Sequence, residues 1–472
     1  MPLNSQFVLG AGSEGQAVGQ PLRLANRHGL VAGATGTGKT VTLQRLIETF
    51  SDAGVAVFAA DVKGDLCGLG AVGAPQGKVA ERIASMAWLN HQPQAYPVTL
   101  WDVHGQSGHP LRTTLSEMGP LLLGALLELT DSQQAALYAA FKVADREGLL
   151  LLDLKDLKAL LGYLKDNPQV LGEDSALFTS TSAQALLRRL AGLEQQGAEA
   201  LFGEPALQLE DLLHPDRDGR GRVHLLDASR LIHEAPKVYA TFLLWLLAEL
   251  FEQLPERGDA DKPVLALFFD EAHLLFQGTP KALQERLEQV VRLIRSKGVG
   301  VYFVTQSPSD LPDDVLAQLG LRIQHGLRAF TAKEQKALRA VADGFRPNPA
   351  FSTLNVLTEL GIGEALVGTL EEKGTPATVQ RVAIAPPQSR IGPLNESERA
   401  TLVRQSPLAG RYDKPVDRDK VAGQQKAEPG LGDMASDLIG SAMKSALRQA
   451  ANQIGRQLVR GLLGSLTGGK KR

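Results

Sequence analysis

The feature of the sequence that most constrains the fold is a glycine-rich loop between an apolar run and an amphipathic segment. The chain reads HGLVAG, then ATGTGKT, then VTLQRLIETFSDAG, and then a second apolar run, VAVFAAD. This pattern predicts a strand, a loop, a helix and a second strand. Because the helix must cross over before the second strand can lie beside the first, the unit predicts a mainly parallel α/β sheet.

The loop itself, GATGTGKT, matches the pattern G-x-x-x-x-G-K-[ST] in full. Its glycines let the backbone turn N–H groups inward around phosphates, and the helix that follows adds its positive N-terminal end. We expect Lys39 to reach the β and γ phosphates of a nucleoside triphosphate, and Thr40 to place its hydroxyl on Mg²⁺. The predicted nucleotide-binding residues are Gly33, Ala34, Thr35, Gly36, Thr37, Gly38, Lys39, Thr40 and Val41.

Two carboxylates follow the apolar residues of another segment, VLALFFDEAH. Asp270 and Glu271 come at its end, and ligands of open α/β proteins bind at the carboxyl edge of the strands. We assign Asp270 to the Mg²⁺ shell and Glu271 to positioning and polarising the attacking water. The alternative is a strand that ends in acidic residues near a helix dipole, and the phosphate loop favours the catalytic interpretation.

Other polar residues also follow predicted strands. Gln306 ends GVYFVTQS, where it can bridge the γ phosphate and the water or merely cap a strand. Asp61 ends VAVFAAD, with Lys63 and Asp65 just beyond it. These three residues either line the same edge or form a plain surface turn, and both interpretations remain open.

Arginines on the segment before GVGVYF are candidates for completing the site from a neighbouring subunit. If the domains form a ring, an arginine given to a neighbour's γ phosphate can accelerate hydrolysis by ~10³ to 10⁵. Arg295 is the first choice and Arg292 the second, and Arg322, on the next predicted strand, is the third. The alternative is a solvated basic helix face.

The rest of the chain divides by composition. Leu/Ala-rich segments with helical spacing replace the strand-like runs between the two parts of the predicted core, and GEALVGTL and ATVQRVAIA predict an edge pair of strands. A polar, Pro- and Gly-rich stretch then predicts a linker. The predicted regions are an N-terminal segment (1–21), the core (22–104 and 222–384), a helical insertion (105–221), a linker (385–432) and a C-terminal tail (433–472).

These motifs, in this order, resemble the HerA/FtsK branch of P-loop ATPases, and within it a bacterial HerA-like group. The resemblance rests on NRHGLVAGATGTGKTVTL, DVKGDL, WDVHGQSGHPLRTT, DEAHLLF, and VTQSPSDLP followed by LGLRIQHGLRAF. It implies a RecA-like core, hexameric rings, and ATP-driven movement on DNA as a translocase or helicase. It also implies Gln306 as sensor and the Arg292/Arg295 region as the finger given in trans.

The resemblance has limits. Only about 20 residues precede the first strand of the motif, so it does not extend to the N-terminal barrel domain with which HerA proteins meet a nuclease. A nuclease-coupled role in end resection is therefore not expected. The alternative function is an ATP-dependent switch that controls protein or membrane assembly without moving nucleic acid.

Charge and hydropathy limit the partners and the cellular location that the sequence predicts. Lys plus Arg number 50 against 52 Asp plus Glu, a net charge of −2, so any DNA contact must be local. The tail, with Lys444, Arg448 and Arg456, is a basic amphipathic segment that can meet DNA, a membrane surface or its own core. One cysteine, no secretory signal and no apolar run of about 18 residues predict a cytoplasmic protein without a transmembrane segment.

Overall fold

The computed structural model describes residues 6–258, 260–276, 281–329 and 331–416. Contacts divide the described residues into two compact units: residues 6–111 with 207–413, and residues 112–206 with 414–416. The predicted C-terminal tail (433–472) lies outside the described residues, as does the second part of the predicted linker (417–432).

The first unit contains a sheet of twelve strands, counted over the residues that the structure describes. In chain order the strands are β1 (Gln6–Gly12), β2 (Ala17–Pro21), β3 (Gly29–Ala32), β4 (Ala56–Asp61), β5 (Val98–Asp102), β6 (His109–Pro110), β7 (Val223–Asp227), β8 (Leu265–Phe269), β9 (Val299–Thr305), β10 (Leu321–His325), β11 (Glu364–Gly368) and β12 (Gln380–Ile384).

The spatial order is β2-β1-β12-β11-β10-β3-β9-β8-β4-β7-β5-β6. All pairs from β10 to β6 are parallel, and the pairs from β10 back to β2 are antiparallel. Strands β3, β4, β8 and β9 are buried along their whole length, as expected for strands covered on both faces. The predicted mainly parallel α/β fold is confirmed.

Helices connect these strands and make up the second unit. In chain order they are α1 (Lys39–Asp52), α2 (Lys78–Ser85), α3 (Leu115–Leu126), α4 (Asp131–Glu147), α5 (Leu154–Asp166), α6 (Ser180–Gln195), α7 (Leu209–Leu213), α8 (Leu231–Glu234), α9 (Pro236–Gln253), α10 (Lys281–Leu293), α11 (Asp313–Leu316), α12 (Ala332–Asp343), α13 (Thr353–Glu359) and α14 (Glu396–Gln405). None of the helices in the described part combines the length and apolar character needed to cross a bilayer.

An aromatic cluster fixes α1 on the central strands. The Phe50 ring of α1 lies 6.0 Å from that of Phe268 and 5.4 Å from that of Tyr302, measured between centroids. The Phe268 and Tyr302 rings stack at 4.8 Å. Aromatic pairs at these distances add to the stabilisation from apolar burial. Packing therefore fixes α1 against β8 and β9.

The second unit is helical, and its helices begin at polar caps. Thr114 and Asp153 accept backbone N–H bonds at the starts of α3 and α5, and Thr130 occupies the N-cap position of α4. The unit is narrower than the predicted insertion (105–221). Residues 105–111 and 207–221 belong to the first unit, because β6 pairs with β5 and Asp211 accepts a hydrogen bond from Arg411 at 2.5 Å.

Strands β11 and β12 pair antiparallel, but they do not form the edge of the sheet. Strand β1 pairs with β12, with Gly10 opposite Ile384, and β2 lies outside β1. The predicted N-terminal segment therefore contributes two strands. The sequence pattern missed them because β1 and β2 contain glycine and β2 ends in proline, which are depleted in strands, and because β12, the other partner of β1, is distant in the chain.

The predicted linker is wrong for residues 385–413, which are part of the first unit. The buried Glu48 carboxylate of α1 accepts hydrogen bonds from the backbone N–H of Gln388 at 3.0 Å and of Ser389 at 2.8 Å. Leu394 is buried, and Asn395 caps α14. Proline and polar residues give this stretch the composition of a linker, yet its backbone is satisfied by a distant carboxylate.

Candidate active site

The predicted phosphate loop connects β3 to α1, and its backbone requires glycine. Gly33, Gly36 and Gly38 have φ angles of 152°, 79° and 108°, which residues with a Cβ rarely adopt. A Cβ on Gly33 would also lie 2.5 Å from the Cβ of His325. The glycines of the motif are therefore needed both for the turn and for close packing against β10.

Neighbouring segments hold the loop in place. The Thr37 hydroxyl donates to the Ala34 carbonyl at 2.7 Å, and the Ala34 N–H donates to the Gly326 carbonyl at 3.2 Å. The Gly363 N–H donates to the Thr37 carbonyl at 3.0 Å. Thr35 at the tip is exposed. The loop is thus braced from the end of β10 and the start of β11.

A buried histidine that the sequence analysis did not assign lies beneath this loop. His325 Nδ1 lies 2.9 Å from the Glu364 carbonyl, and Nε2 lies 2.9 Å from the Thr42 hydroxyl. Because a carbonyl only accepts, Nδ1 carries the proton and Nε2 accepts from Thr42. Burial lowers the pKa of His325 to about 4, so the ring is neutral at pH 7. Its role is to hold α1 and β11 together under the loop.

Lys39 is buried at the first position of α1. Its ammonium group donates to the carbonyls of Gly33 at 2.6 Å and Ala34 at 3.0 Å. Burial, and next the charge of Lys63, lower the pKa of Lys39, while Glu271 and Asp270 oppose that shift. Val41, half-buried, completes the first turn of α1. The lysine therefore lies against the loop, within reach of carboxylates on a different strand.

A small pocket brings the ends of three strands together. Its lining residues are Lys39, Thr40, Leu43, Asp61, Lys63, Asp65, Leu66, Asp270 and Val304. They come from α1, from the end of β4 and the loop that follows it, from the position directly after β8, and from β9. The pocket includes Asp61, Lys63 and Asp65, which the sequence left between a site and a surface turn.

Asp270, directly after β8, lines this pocket with Lys39 and Thr40. Its Oδ1 accepts from the N–H of Glu271 at 3.0 Å. Burial and the neighbouring Glu271 charge raise the pKa of Asp270 to about 6, against the opposing effect of Lys63 and Lys39. The carboxylate is therefore in an environment where additional positive charge is favourable.

Glu271 has a strained backbone and an unsatisfied oxygen. Its φ and ψ are both 48°, a left-handed conformation that is costly for a residue other than glycine. Its buried Oε2 atom has no hydrogen-bond partner among the described residues and lies 3.4 Å from His273 Nδ1, without hydrogen-bond geometry. Unsatisfied buried carboxylate oxygens are rare, and such strain clusters at functional sites.

Gln306 follows β9, which lies between β3 and β8 in the sheet. Asp310 Oδ2 accepts from the Thr305 hydroxyl at 2.6 Å and from the Ser307 N–H at 3.0 Å. Gln306 between them is exposed. The glutamine therefore lies at the same edge as the phosphate loop, on a backbone that one aspartate fixes on both sides.

The candidate arginines do not join this pocket. The Arg295 carbonyl accepts from Asn26, and the Arg295 charge acts on His28, the residue before β3. Arg295 thus lies at the amino edge of the strands, opposite the phosphate loop. Arg292 lines a cleft of about 320 Å³ with Glu285, Glu288, Gln289, Asp314, Ala317 and Gln318. Arg322 donates to the carbonyls of Leu316, Leu319 and Gly344 within the fold.

The sheet and the loop between β3 and α1 define a P-loop nucleoside triphosphatase fold of the RecA type. The chain belongs to the family described as helicase HerA-like C-terminal, whose model matches residues 6–423 and 419–472. The HerA-like resemblance of the sequence is therefore confirmed. No curated protein sequence matches the chain significantly.

Solved structures share the fold at low identity. VirB4 of Thermoanaerobacter pseudethanolicus matches with a TM-score of 0.51 and 17% identity, over 80% of this chain and 96% of that one. The plasmid coupling protein TrwB in complex with ADP and Mg²⁺ matches with a TM-score of 0.53 and 16% identity, over 79% of this chain and 90% of that one. The TrwB complex with a non-hydrolysable ATP analogue gives 0.53 and 16%, over 78% and 88%.

Proposed function

We propose that this chain is an ATP-hydrolysing motor that forms rings and moves on DNA, as HerA-type translocases do. One observation carries the hydrolytic part: Glu271 has a strained backbone and a buried, unsatisfied oxygen, directly beside a carboxylate that shares a pocket with Lys39. A residue that served only the fold would gain from a hydrogen bond to that oxygen. An oxygen that orients a water during hydrolysis must instead keep its lone pairs available.

The residues of the pocket suit a nucleotide with Mg²⁺. Lys39 compensates phosphate charge, and the loop N–H groups and the start of α1 bind phosphate oxygens. The Thr40 hydroxyl and the Asp270 carboxylate line one pocket, and hard oxygen donors of this kind suit Mg²⁺. Bound there, Mg²⁺ would neutralise charge on the β and γ phosphates. The TrwB complex with ADP and Mg²⁺ supports this assignment through the shared fold.

Hydrolysis then needs a positioned water. Glu271 orients the water and accepts its proton as the water oxygen bonds to the γ phosphorus. The bond from that phosphorus to the oxygen bridging the β and γ phosphates breaks, and ADP and phosphate leave. Gln306, exposed between the strands that carry the loop and the carboxylates, contacts the γ phosphate and the water.

The ring explains the position of the arginines. Arg295 lies at the edge of the strands opposite its own phosphate loop, and Arg292 lies in a separate acidic cleft. Neither can serve the pocket of its own chain from there. A neighbouring subunit could receive either guanidinium at its γ phosphate, which would make hydrolysis depend on assembly.

The DNA part is supported by the HerA-like family and by the fold shared with TrwB, a plasmid coupling protein. A decisive experiment measures ATP turnover with and without single-stranded and double-stranded DNA, beside the mass of the assembly in solution. We expect an oligomer whose turnover rises with DNA, and DNA binding that weakens with salt. An oligomer whose ATP turnover does not change when DNA is added would instead favour the assembly switch.

The control for this experiment is Lys39→Ala, which removes the charge that compensates the phosphates. We expect loss of nucleotide binding and a fall in turnover of at least about 10³-fold. Lys262→Ala is a matched lysine control, because Lys262 donates to carbonyls of Ala53 and Gly54, before β4. Hydrolysis that survives Lys39→Ala unchanged would overturn the whole proposal.

A further inference from the structure

Lys63 is a second lysine of the pocket, and the proposed hydrolysis does not yet use it. It lies on the loop after β4, residues 61–66, which we name the wall loop. Its side chain is exposed, and its ammonium group has no hydrogen bond or ion pair in the part of the chain that the structure describes. Its charge nevertheless acts on both Lys39 and Asp270. Two lysines thus face one small space.

The wall loop is built to hold this residue in place. The Asp61 carboxylate accepts from the Gly64 N–H at 2.8 Å and from the Leu66 N–H at 3.0 Å. Gly64 has a φ of 75°, so the loop turns back directly after Lys63. Hydrogen bonds from inside the loop therefore set the direction in which the backbone presents the lysine.

Arg399 of α14 holds the same loop from outside. One guanidinium nitrogen donates to the Gly64 carbonyl at 3.3 Å, and the other donates to Asp227 Oδ2 at 2.8 Å. Asp227 ends β7, the neighbour of β4. Arg399 thus ties the wall loop to the next strand, from a helix that the sequence placed in a linker.

The sheet order indicates which part of a nucleotide Lys63 meets. Along the edge, the order is the phosphate loop after β3, then β9, then Asp270 after β8, then Lys63 after β4. Lys63 therefore lies beyond the proposed Mg²⁺ carboxylate as seen from the loop. The terminal phosphate would be the group on that side, because Thr40 and Asp270 would hold Mg²⁺ next to it.

Two neighbouring lysines repel each other, and a polyanion between them removes that cost. Resting on the proposed function, we propose that Lys63 is a second charge-compensating contact for the γ phosphate, and that Arg399 is the residue that positions it. The diphosphate product lacks the γ phosphate, so Lys63 distinguishes ATP from ADP. Because Arg399 lies on α14, this helix influences the ratio of ATP affinity to ADP affinity at the site.

The test compares Lys63→Met with Lys262→Met, a lysine at the opposite end of β4. For Lys63→Met we expect turnover to fall on the order of 10- to 100-fold, below the ~10²- to 10³-fold typical of a preorganised donor. Affinity for a non-hydrolysable ATP analogue should weaken, while ADP affinity stays within about threefold, or ~0.6 kcal/mol. Lys262→Met should match the wild type. Wild-type turnover and ATP-to-ADP selectivity in Lys63→Met would overturn the proposal.

Arg399→Gln tests the positioning role. We expect the same loss of ATP-to-ADP selectivity in weaker form, and a Lys63→Met/Arg399→Gln double variant no worse than Lys63→Met, because both changes remove one interaction. Additive losses of selectivity would show that Arg399 acts independently of Lys63, and lower thermal stability with selectivity intact would show that Arg399 serves only the fold. Either result would overturn the positioning role.

The same data separate this proposal from the one on which it rests. If the wild type binds and hydrolyses ATP, Lys39→Ala does neither and Lys63→Met is normal, the proposed ATPase stands and only the role of Lys63 is wrong. If the wild type neither binds nor hydrolyses ATP, both proposals fail.

Discussion

The carboxyl edge of the sheet has two halves. Strands in both halves end in or precede acidic residues, but the hydrogen bonds that these carboxylates accept differ between the halves. In the outer half, β5 and β7 end in Asp102 and Asp227. Asp102 accepts backbone N–H bonds from His104, Gln106 and Ser107 at 2.9, 2.7 and 3.0 Å. In the central half, β8 is followed by Asp270 and Glu271, and Glu271 Oε2 has no hydrogen-bond partner among the described residues.

The pKa values show the same contrast. Burial pushes the pKa of Asp227 upward, but hydrogen bonds from Ser229 and Ser107 outweigh it and leave that pKa below its usual value. At Asp270, burial and the charge of Glu271 dominate and raise the pKa to about 6. Carboxylates in the outer half thus stabilise loops of the protein itself, whereas we propose that those in the central half are kept for a ligand. The loop that follows each strand determines how many hydrogen bonds the carboxylate at the strand end accepts from the protein.

Among the substitutions that compare the two halves of the edge, Glu271→Gln has the largest expected effect on hydrolysis, because it keeps the shape of the side chain and removes its capacity to accept a proton. We expect turnover to fall by ~10²- to 10³-fold with ATP binding retained. The melting temperature should stay the same or rise, because a carboxylate beside Asp270 is lost. Steady-state turnover, equilibrium nucleotide binding and thermal unfolding measure these three quantities.

Glu147→Gln is the matched control, since Glu147 is exposed on α4. It should leave all three quantities unchanged. If Glu271→Gln loses binding and turnover together, Glu271 belongs to nucleotide binding instead. If its main effect is a lower melting temperature, the central half of the edge resembles the outer half, and the comparison fails.

A smaller effect is expected for Gln306→Ala. Its amide is exposed and Asp310 already fixes the backbone around it, so the change removes one contact to the water or the γ phosphate. We expect turnover to fall by about 10-fold, or ~1.4 kcal/mol in the barrier, with no change in thermal stability. Gln335→Ala on α12, also exposed, is the control. Turnover equal to that of the control would make Gln306 a polar residue at a strand end and nothing more.

Local pattern predicted much of the central half. The strands β3, β4, β7, β8 and β9 are short, mostly apolar runs, and the phosphate loop, Asp270 with Glu271, and Gln306 directly follow three of them. In a parallel sheet, residues that follow strands meet at one edge. The sequence therefore placed these residues together without any knowledge of long-range contacts.

The structural features that the sequence did not predict depend on contacts between residues far apart in the chain. Strand β1 pairs with β12, Glu48 binds the backbone at Gln388 and Ser389, and Arg399 reaches Asp227. Composition describes only the near neighbours of a residue, so a Pro-rich stretch resembled a linker. His325 ends β10, which also contains Arg322 and Gln324, so the histidine had no distinct signal in the sequence.

The smallest expected effect on hydrolysis is that of Asp102→Ala, which is expected to have a large effect on stability. Three backbone N–H groups lose their acceptor, at a cost of about 2–4 kcal/mol in folding free energy, so the melting temperature should fall. Turnover of the folded protein should change less than about twofold, or ~0.4 kcal/mol in the barrier, because Asp102 does not line the pocket.

Asp102→Asn sharpens this test, because the amide keeps one acceptor oxygen for the same loop. We expect its melting temperature to lie between those of Asp102→Ala and the wild type, again with normal turnover. The Asp102 variants and Glu271→Gln together separate the two halves of the edge. The Asp102 variants should lower stability without changing hydrolysis, and Glu271→Gln should lower hydrolysis without changing stability. A fall in turnover at constant stability for Asp102→Ala would extend the site across the outer half, and the division between the halves would be wrong.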